Sequence, residues 1–147
     1  MSNGQVFEAF NLASLWNLPV LFIIENNRYG MGTAVNRSAA GKDLYERATV
    51  FGVEGEKING MDFFEVSQAA IRARDHIYEN SMPYVIEMDT YRYRGHSMSD
   101  PATYRTKDEV NEMKSNDPLI SMKNKLMKDF KIKEDEIIDI EANIKKQ

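Results

Sequence analysis

Leu18-Pro-Val-Leu-Phe-Ile-Ile-Glu-Asn-Asn-Arg-Tyr-Gly30 is the stretch on which the fold turns. Val20 to Ile24 runs without alternation and is apolar throughout, the pattern of a strand buried on both faces in the middle of a parallel sheet. The run breaks abruptly at Glu25 into polar and turn-forming residues. Open α/β sheets bind ligands outside the carboxyl ends of their strands, so Glu25 to Gly32 falls where a ligand would sit. Upstream, Val6 to Trp16 reads as a helix whose apolar residues lie nearly all round the cylinder, which predicts burial between layers. Asn17-Leu18-Pro19 stops it, because proline has no N–H to donate and biases Leu18 away from the helical region.

Downstream, Asp43 to Phe51 reads as a short helix and Glu56 to Ile58 as a short strand before the turn Asn59-Gly60. Asp62, with Glu65 three residues on, is a capping-box arrangement. Phe63, Val66, Ala70, Ala73 and Ile77 then recur at helical spacing, with Arg72, Arg74 and Asp75 on the opposite side. Pro83 introduces a second strand, Tyr84-Val-Ile-Glu-Met-Asp89. Residues 5–89 therefore alternate helix and strand, an α/β order with a parallel sheet. Tyr91 to Arg105 reads as a long loop. Thr106 with Glu109 opens one further helix, and Asp117-Pro118 opens another with Leu119, Met122, Leu126, Met127 and Phe130 on one face. The tail from Glu134 carries Ile137, Ile138, Ile140 and Ile144 among charges.

Composition narrows the classes. The 147 residues hold 42% hydrophobic and 29% charged side chains, enough for one domain. Nineteen basic against 23 acidic residues leave a net charge of −4, which argues against a phosphate-backbone binder acting by bulk charge. With no cysteine there is no disulfide framework, thiolate metal site or thiol nucleophile, and a reducing compartment is implied. The longest apolar run, Leu18 to Ile24, has seven residues, against roughly 20 needed to span a bilayer. Neither nucleic acid nor membrane is expected as a partner, and a cytoplasmic location is.

Two segments could carry chemistry. Asn26-Asn27-Arg28-Tyr29-Gly30 offers amide and backbone carbonyl oxygens, hard neutral ligands suited to Mg²⁺ or Ca²⁺. The same residues also make an ordinary turn out of a strand, since Asn and Gly favour left-handed geometry. Tyr91-Arg-Tyr-Arg-Gly-His-Ser-Met-Ser-Asp-Pro101 gathers Arg92, Arg94, His96, Ser97, Ser99 and Asp100. His96 could move protons near neutral pH from a mobile position after Gly95. The interleaved Arg and Tyr could stack on bases. A solvated loop with arginines paired to nearby acids is the third option, and composition by itself favours it. His76 reads as a surface or boundary residue of its helix. No zinc-ligand spacing, Gly-x-Ser-x-Gly or phosphate-loop string occurs.

Taken together, Gly4 to Pro19, Glu25-Asn-Asn-Arg-Tyr-Gly-Met-Gly-Thr33, and Tyr91 to Pro101 with Tyr104-Arg105 closely resemble the thiamine-diphosphate-dependent 2-oxo acid dehydrogenases, and within them the alpha subunits of pyruvate dehydrogenase. The likeness covers essentially the whole chain in order. It implies the thiamine-diphosphate-binding α/β fold, a partial parallel sheet flanked by helices and followed by C-terminal helices. Residues 1–105, with the active-site loop 91–105, would be part of the cofactor domain, and 106–147 its helical continuation.

The resemblance also implies roles. Asn27 matches the asparagine whose side-chain oxygen ligates Mg²⁺, and Tyr29 the residue offering its backbone carbonyl. The metal holds the diphosphate, so Asn27 approaches the cofactor too. His96 matches the active-site histidine near thiazolium and substrate. Ser97 and Thr103 fall at or near phosphorylated serines of mitochondrial relatives; bacterial relatives generally lack that kinase, and no regulation is assigned. The implied reaction is oxidative decarboxylation of a 2-oxo acid, pyruvate, with the acetyl group passed to a lipoyl-bearing acetyltransferase. The implied partner is a beta subunit in an alpha-2-beta-2 assembly, in the cytoplasm or, in a eukaryote, the mitochondrial matrix. Acetoin and branched-chain 2-oxo acid dehydrogenases are the related alternatives, and a truncated non-catalytic binding chain is another. The family motif opens with Gly-Asp-Gly, and its metal-binding aspartate aligns a few positions before Met1. An interior piece of the subunit, inactive by itself and with weakened metal affinity, is therefore expected.

Overall fold

Asn3 caps the first helix, its side chain accepting the Gln5 N–H at 3.1 Å, and α1 runs Gly4–Leu15. The computed structural model describes residues 3–146. After α1 come strand β1 (Leu21–Asn26), a small hairpin of β2 (Tyr29–Gly30) and β3 (Thr33–Ala34), and two single-turn helices, α2 (Val35–Ser38) and α3 (Glu46–Thr49). β4 (Glu54–Asn59), the 18-residue α4 (Phe63–Asn80) and β5 (Tyr84–Asp89) complete the α/β part. The loop from residue 90 leads to α5 (Lys107–Ser115), α6 (Pro118–Asp129) and α7 (Glu134–Ile144).

The sheet is parallel, in the order β1-β5-β4, with Ile23 beside Ile86 and Ile86 beside Glu56. The middle strand is thus β5, whose Val85, Ile86 and Glu87 are wholly buried. Its two faces separate two cores. Phe10 of α1 packs with Ile24, Leu44, Ala48, Val53 and Val85 on one face. Ala69 and Ala73 of α4 pack with Ile58 and Ile86 on the other. Alanines at those positions let α4 lie close on the sheet.

This corrects the expected position of β1. The apolar run predicts a central strand, yet among the described residues β1 is an edge strand, with Ile23 54% exposed. Phe22 and Ile24 face α1, while α4 covers β4 and β5 and leaves the other face of β1 open. α1 differs in the same way: Phe10 and Ala13 are buried, whereas Trp16 is 61% exposed. In α4 the buried residues are Ala69, Ala73 and Ile77 rather than Phe63 and Ala70, because spacing by four from Ala69 follows the sheet.

The caps form where the sequence places them. Asp62 accepts from the Phe64 and Glu65 N–H groups, Thr106 from Glu109, and Asp117 from Leu119. Glu65 does not close its box onto Asp62; it reaches back to the Asn59 N–H at 2.8 Å and ties α4 to the end of β4. The apolar faces of α6 and α7 are largely open, with Leu119 80% exposed and Ile137 buried. Among the described residues, no helix is long and apolar enough to cross a membrane.

Candidate active site

At the end of β1, the Asn26 side chain donates to Glu87 Oε1 at 2.7 Å and accepts the Arg28 N–H at 3.1 Å. One residue on, Asn27 Oδ1 accepts the Tyr29 N–H at 3.2 Å. Two overlapping side-chain turns result, and Arg28 takes φ 68° between them. The Arg28 guanidinium makes a fork onto Asp89 at 3.0 and 2.9 Å, across the carboxyl ends of β1 and β5, and this carboxylate raises its already high pKa.

Tyr29 anchors the hairpin to α5. Its hydroxyl donates to Glu109 of α5 at 3.0 Å, and Tyr91 donates to the same carboxylate at 2.8 Å. Burial pushes both phenols above their ordinary pKa, and the hydrogen bond to Glu109 adds to the shift. α5 is thereby strapped to the hairpin and to the start of the loop.

The hairpin and the loop, 60 or so residues apart in sequence, meet through Arg92. Its guanidinium donates to the Met31 carbonyl at 2.7 Å, to the Tyr104 hydroxyl at 3.1 Å and to His96 Nδ1 at 3.3 Å. An arginine can only donate, so Nδ1 accepts and Nε2 carries the ring proton. Tyr104 lies over Gly32, where a Cβ would come within 2.9 Å of the ring, so only glycine admits this contact. The Tyr29 and Tyr104 rings sit 5.3 Å apart.

The loop is also folded on itself. Asp100 accepts the His96 N–H at 2.6 Å, the Ala102 N–H at 2.8 Å and the Tyr104 hydroxyl at 2.8 Å, and these donors hold its carboxyl below the usual range. Gly95 is needed for this approach, since a Cβ would meet the Asp100 carbonyl at 2.6 Å. Arg105 closes the arrangement, donating to the backbone carbonyls of Arg92 and Tyr93 and standing 5.3 Å over the Tyr91 ring. Its guanidinium also lies near the Tyr29 and Tyr104 rings. Ser97 and Ser99 face each other at 3.2 Å on the exposed apex, and Thr103 is exposed as well.

A cleft of about 680 Å³ at the end of β1 is lined by Asn26, Asn27, Tyr29, Gly30 and Leu44. A second, of about 480 Å³, lies at the ends of β4 and β5, but its cations are already paired, Arg28 with Asp89 and Lys57 with Asp43 and Glu87. The first cleft is therefore the stronger ligand site. Asn27 and Tyr29, which line it, carry a side-chain amide oxygen and a backbone carbonyl on one turn, neutral hard oxygens of the kind that would suit part of an octahedral Mg²⁺ shell. Among the described residues no three His, Asp or Glu side chains gather as metal ligands. Such a shell needs its anionic oxygens from elsewhere, as a bound diphosphate would provide.

The structure thus joins the two segments that the sequence singles out, Asn26 to Gly30 and Tyr91 to Arg105. Among the described residues Arg92 and Arg105 do not pair with acids as composition suggests; they hold carbonyls, rings and His96. Glu87 and Glu109 are the residues that sequence reasoning misses. Glu87 does leave a signal, a lone acid in the otherwise apolar Tyr84-Val-Ile-Glu-Met88 of a strand buried on both faces. Glu109 is masked by its place in a capping pattern, where Thr106 accepts from its N–H while its carboxylate goes to the tyrosines.

Comparison with known proteins points one way. The sequence profile of the dehydrogenase E1 component family matches residues 1–147. The pyruvate dehydrogenase E1 component subunit alpha of Rickettsia bellii is 48% identical over 145 residues, covering 99% of this chain and 44% of that protein. The Rhizobium meliloti subunit of the same name is 48% identical over 145 residues, 98% of this chain and 42% of that protein. The testis-specific mitochondrial form of Rattus norvegicus is 45% identical over 148 residues, 99% of this chain and 37% of that protein. The chain therefore spans less than half the length of these curated relatives.

Proposed function

The chain belongs to the dehydrogenase E1 component family, and from that membership we propose that it forms part of the alpha subunit of a pyruvate dehydrogenase. The reaction is the oxidative decarboxylation of pyruvate, with the acetyl group passed to a lipoyl group on a partner acetyltransferase. The names of its relatives support pyruvate over acetoin or branched-chain 2-oxo acids as substrate. The remaining parts of the assignment are a beta subunit as partner in an alpha-2-beta-2 assembly, residues 1–105 as cofactor-domain structure with 106–147 as its helical continuation, and a cytoplasmic or mitochondrial-matrix location.

Asn27 Oδ1 and the Tyr29 carbonyl would hold Mg²⁺, and through it the diphosphate of thiamine diphosphate. Both oxygens are neutral, so the metal keeps its charge for the phosphate oxygens. Bound there, the cofactor would supply the carbanion chemistry that releases CO₂ from a 2-oxo acid. This chain's own work is orientation. The Asn26–Tyr29 turn aims the two oxygens, the Glu109–Tyr29 bond fixes the hairpin, and Arg92 sets the ring of His96. With Nδ1 occupied by Arg92, His96 presents Nε2–H as its free donor, suited to orient a substrate oxygen by a hydrogen bond.

The observation that carries this reading is the Arg92 guanidinium, which joins Met31 of the hairpin to His96 of the loop. The test is His96→Ala in the assembled two-subunit enzyme. Pyruvate turnover is expected to fall by about 10²-fold or more, with thiamine diphosphate affinity little changed. Unaltered turnover would remove His96 from the mechanism.

A further inference from the structure

We propose that Glu87 is a positioning residue for the metal-binding turn, holding Asn27 and Tyr29 in place through Asn26 and through the chain at residues 44–45. The inference rests on the assignment of Asn27 and Tyr29 above and names what fixes them.

Glu87 is wholly buried on the middle strand, where an ionised carboxylate is costly unless its oxygens are satisfied. Here they are. Oε1 accepts from Asn26 Nδ2 at 2.7 Å, with Lys57 Nζ at 3.8 Å, and Oε2 accepts the Leu44 N–H at 2.5 Å and the Tyr45 N–H at 3.0 Å. Replacing a buried charge network with well-packed apolar residues is often neutral or stabilising, so stability alone does not explain a glutamate at this position.

What Glu87 provides is direction. Because Nδ2 of Asn26 donates to Glu87, its Oδ1 is left facing the turn and accepts the Arg28 N–H. That contact goes with the positive φ of Arg28, after which Asn27 Oδ1 meets the Tyr29 N–H. The other oxygen of Glu87 holds Leu44, which lines the same cleft as Asn27 and Tyr29. One carboxylate therefore fixes both the turn and a second residue that lines the cleft. Glu87 itself is bonded to neither of the proposed metal donors; it acts through its neighbours, as outer partners of metal ligands do.

The experiment is a Mg²⁺ titration of the assembled two-subunit enzyme at fixed thiamine diphosphate, with cofactor binding read by near-ultraviolet circular dichroism well below the melting temperature. Glu87→Gln and Asn26→Ala are each expected to raise the Mg²⁺ concentration for half-saturation by about 10-fold or more. The double variant N26D/E87Q exchanges donor and acceptor: the new amide donates to the new carboxylate, and its carbonyl oxygen still accepts from Leu44 and Tyr45. It should restore binding to near the parent value. Asn27→Ala, which removes a proposed ligand, separates the two levels of the account. Weakened binding in Asn27→Ala with parent-like Mg²⁺ dependence in Glu87→Gln and Asn26→Ala overturns the role of Glu87 alone. Unchanged binding in Asn27→Ala overturns the metal assignment and the inference with it. A double variant that binds no better than Glu87→Gln also counts against the proposal. If Glu87→Gln does not fold, Asn26→Ala decides, because it leaves Glu87 with both amides and Lys57.

Discussion

Arg105 holds the loop after β5 by shape as much as by charge. Its planar fork reaches two backbone carbonyls while its face lies near three tyrosine rings, a combination that an ammonium cannot reproduce. Arg105→Lys is therefore expected to speed amide hydrogen exchange across residues 92–104 while sparing β5; equal protection in parent and variant would contradict this role. Asp100 gives the loop its pH dependence. Its carboxyl is held below the usual range by the His96 and Ala102 N–H groups and by Tyr104, so its contribution to loop order is complete above the unfolded-chain value of about 3.9. That contribution is lost as pH falls through the lowered folded-state value. Limited proteolysis of the loop should accelerate only below about pH 4, and Asp100→Asn should be cleaved readily at neutral pH. Tyr29→Phe removes one donor from Glu109 and is expected to cost about 1 kcal/mol in urea unfolding. These contacts were only half legible in the sequence. Local ones such as Asp62 onto Phe64 follow from spacing, whereas Arg92 onto Met31 depends on how strands place distant segments.

The strand order is the element-scale result that the sequence did not yield. Periodicity finds β1 and β5 and the α/β alternation, because a strand buried on both faces needs continuous apolar residues. It cannot rank two such strands, and β5, interrupted by Glu87, looks the less central of the pair. The structure reverses that, since β5 pairs on both sides and satisfies its acid internally. Ile86→Ala should accordingly cost about 2–5 kcal/mol, and Ile23→Ala on the open face of β1 less than about 1 kcal/mol, both by equilibrium denaturation. Similar losses at the two sites would contradict the order. The small hairpin leaves no periodic signal, because Tyr29-Gly-Met-Gly-Thr-Ala34 gives only two residues to each strand, too few for alternation.

At the scale of the whole molecule, the chain has more apolar surface than its own layers cover. Trp16, Ile23, Leu119 and Ile144 are all exposed, although the apolar patterns around Trp16 and Ile23 predict burial. A pattern of side chains reports that a face will be covered, not by what. The modest charge of −4 fits recognition by contact. Family membership, by contrast, was legible early, because three long motifs occur in register and two of them meet in space at Arg92. The central claim is that this chain takes part in holding thiamine diphosphate through a metal on its Asn27–Tyr29 turn. Calorimetric titration of thiamine diphosphate into the assembled enzyme, with Mg²⁺ and after its removal by chelation, tests that claim most directly. Saturable binding that requires Mg²⁺ and is severely weakened by Asn27→Ala is predicted. Tight binding that survives both chelation and Asn27→Ala would contradict it.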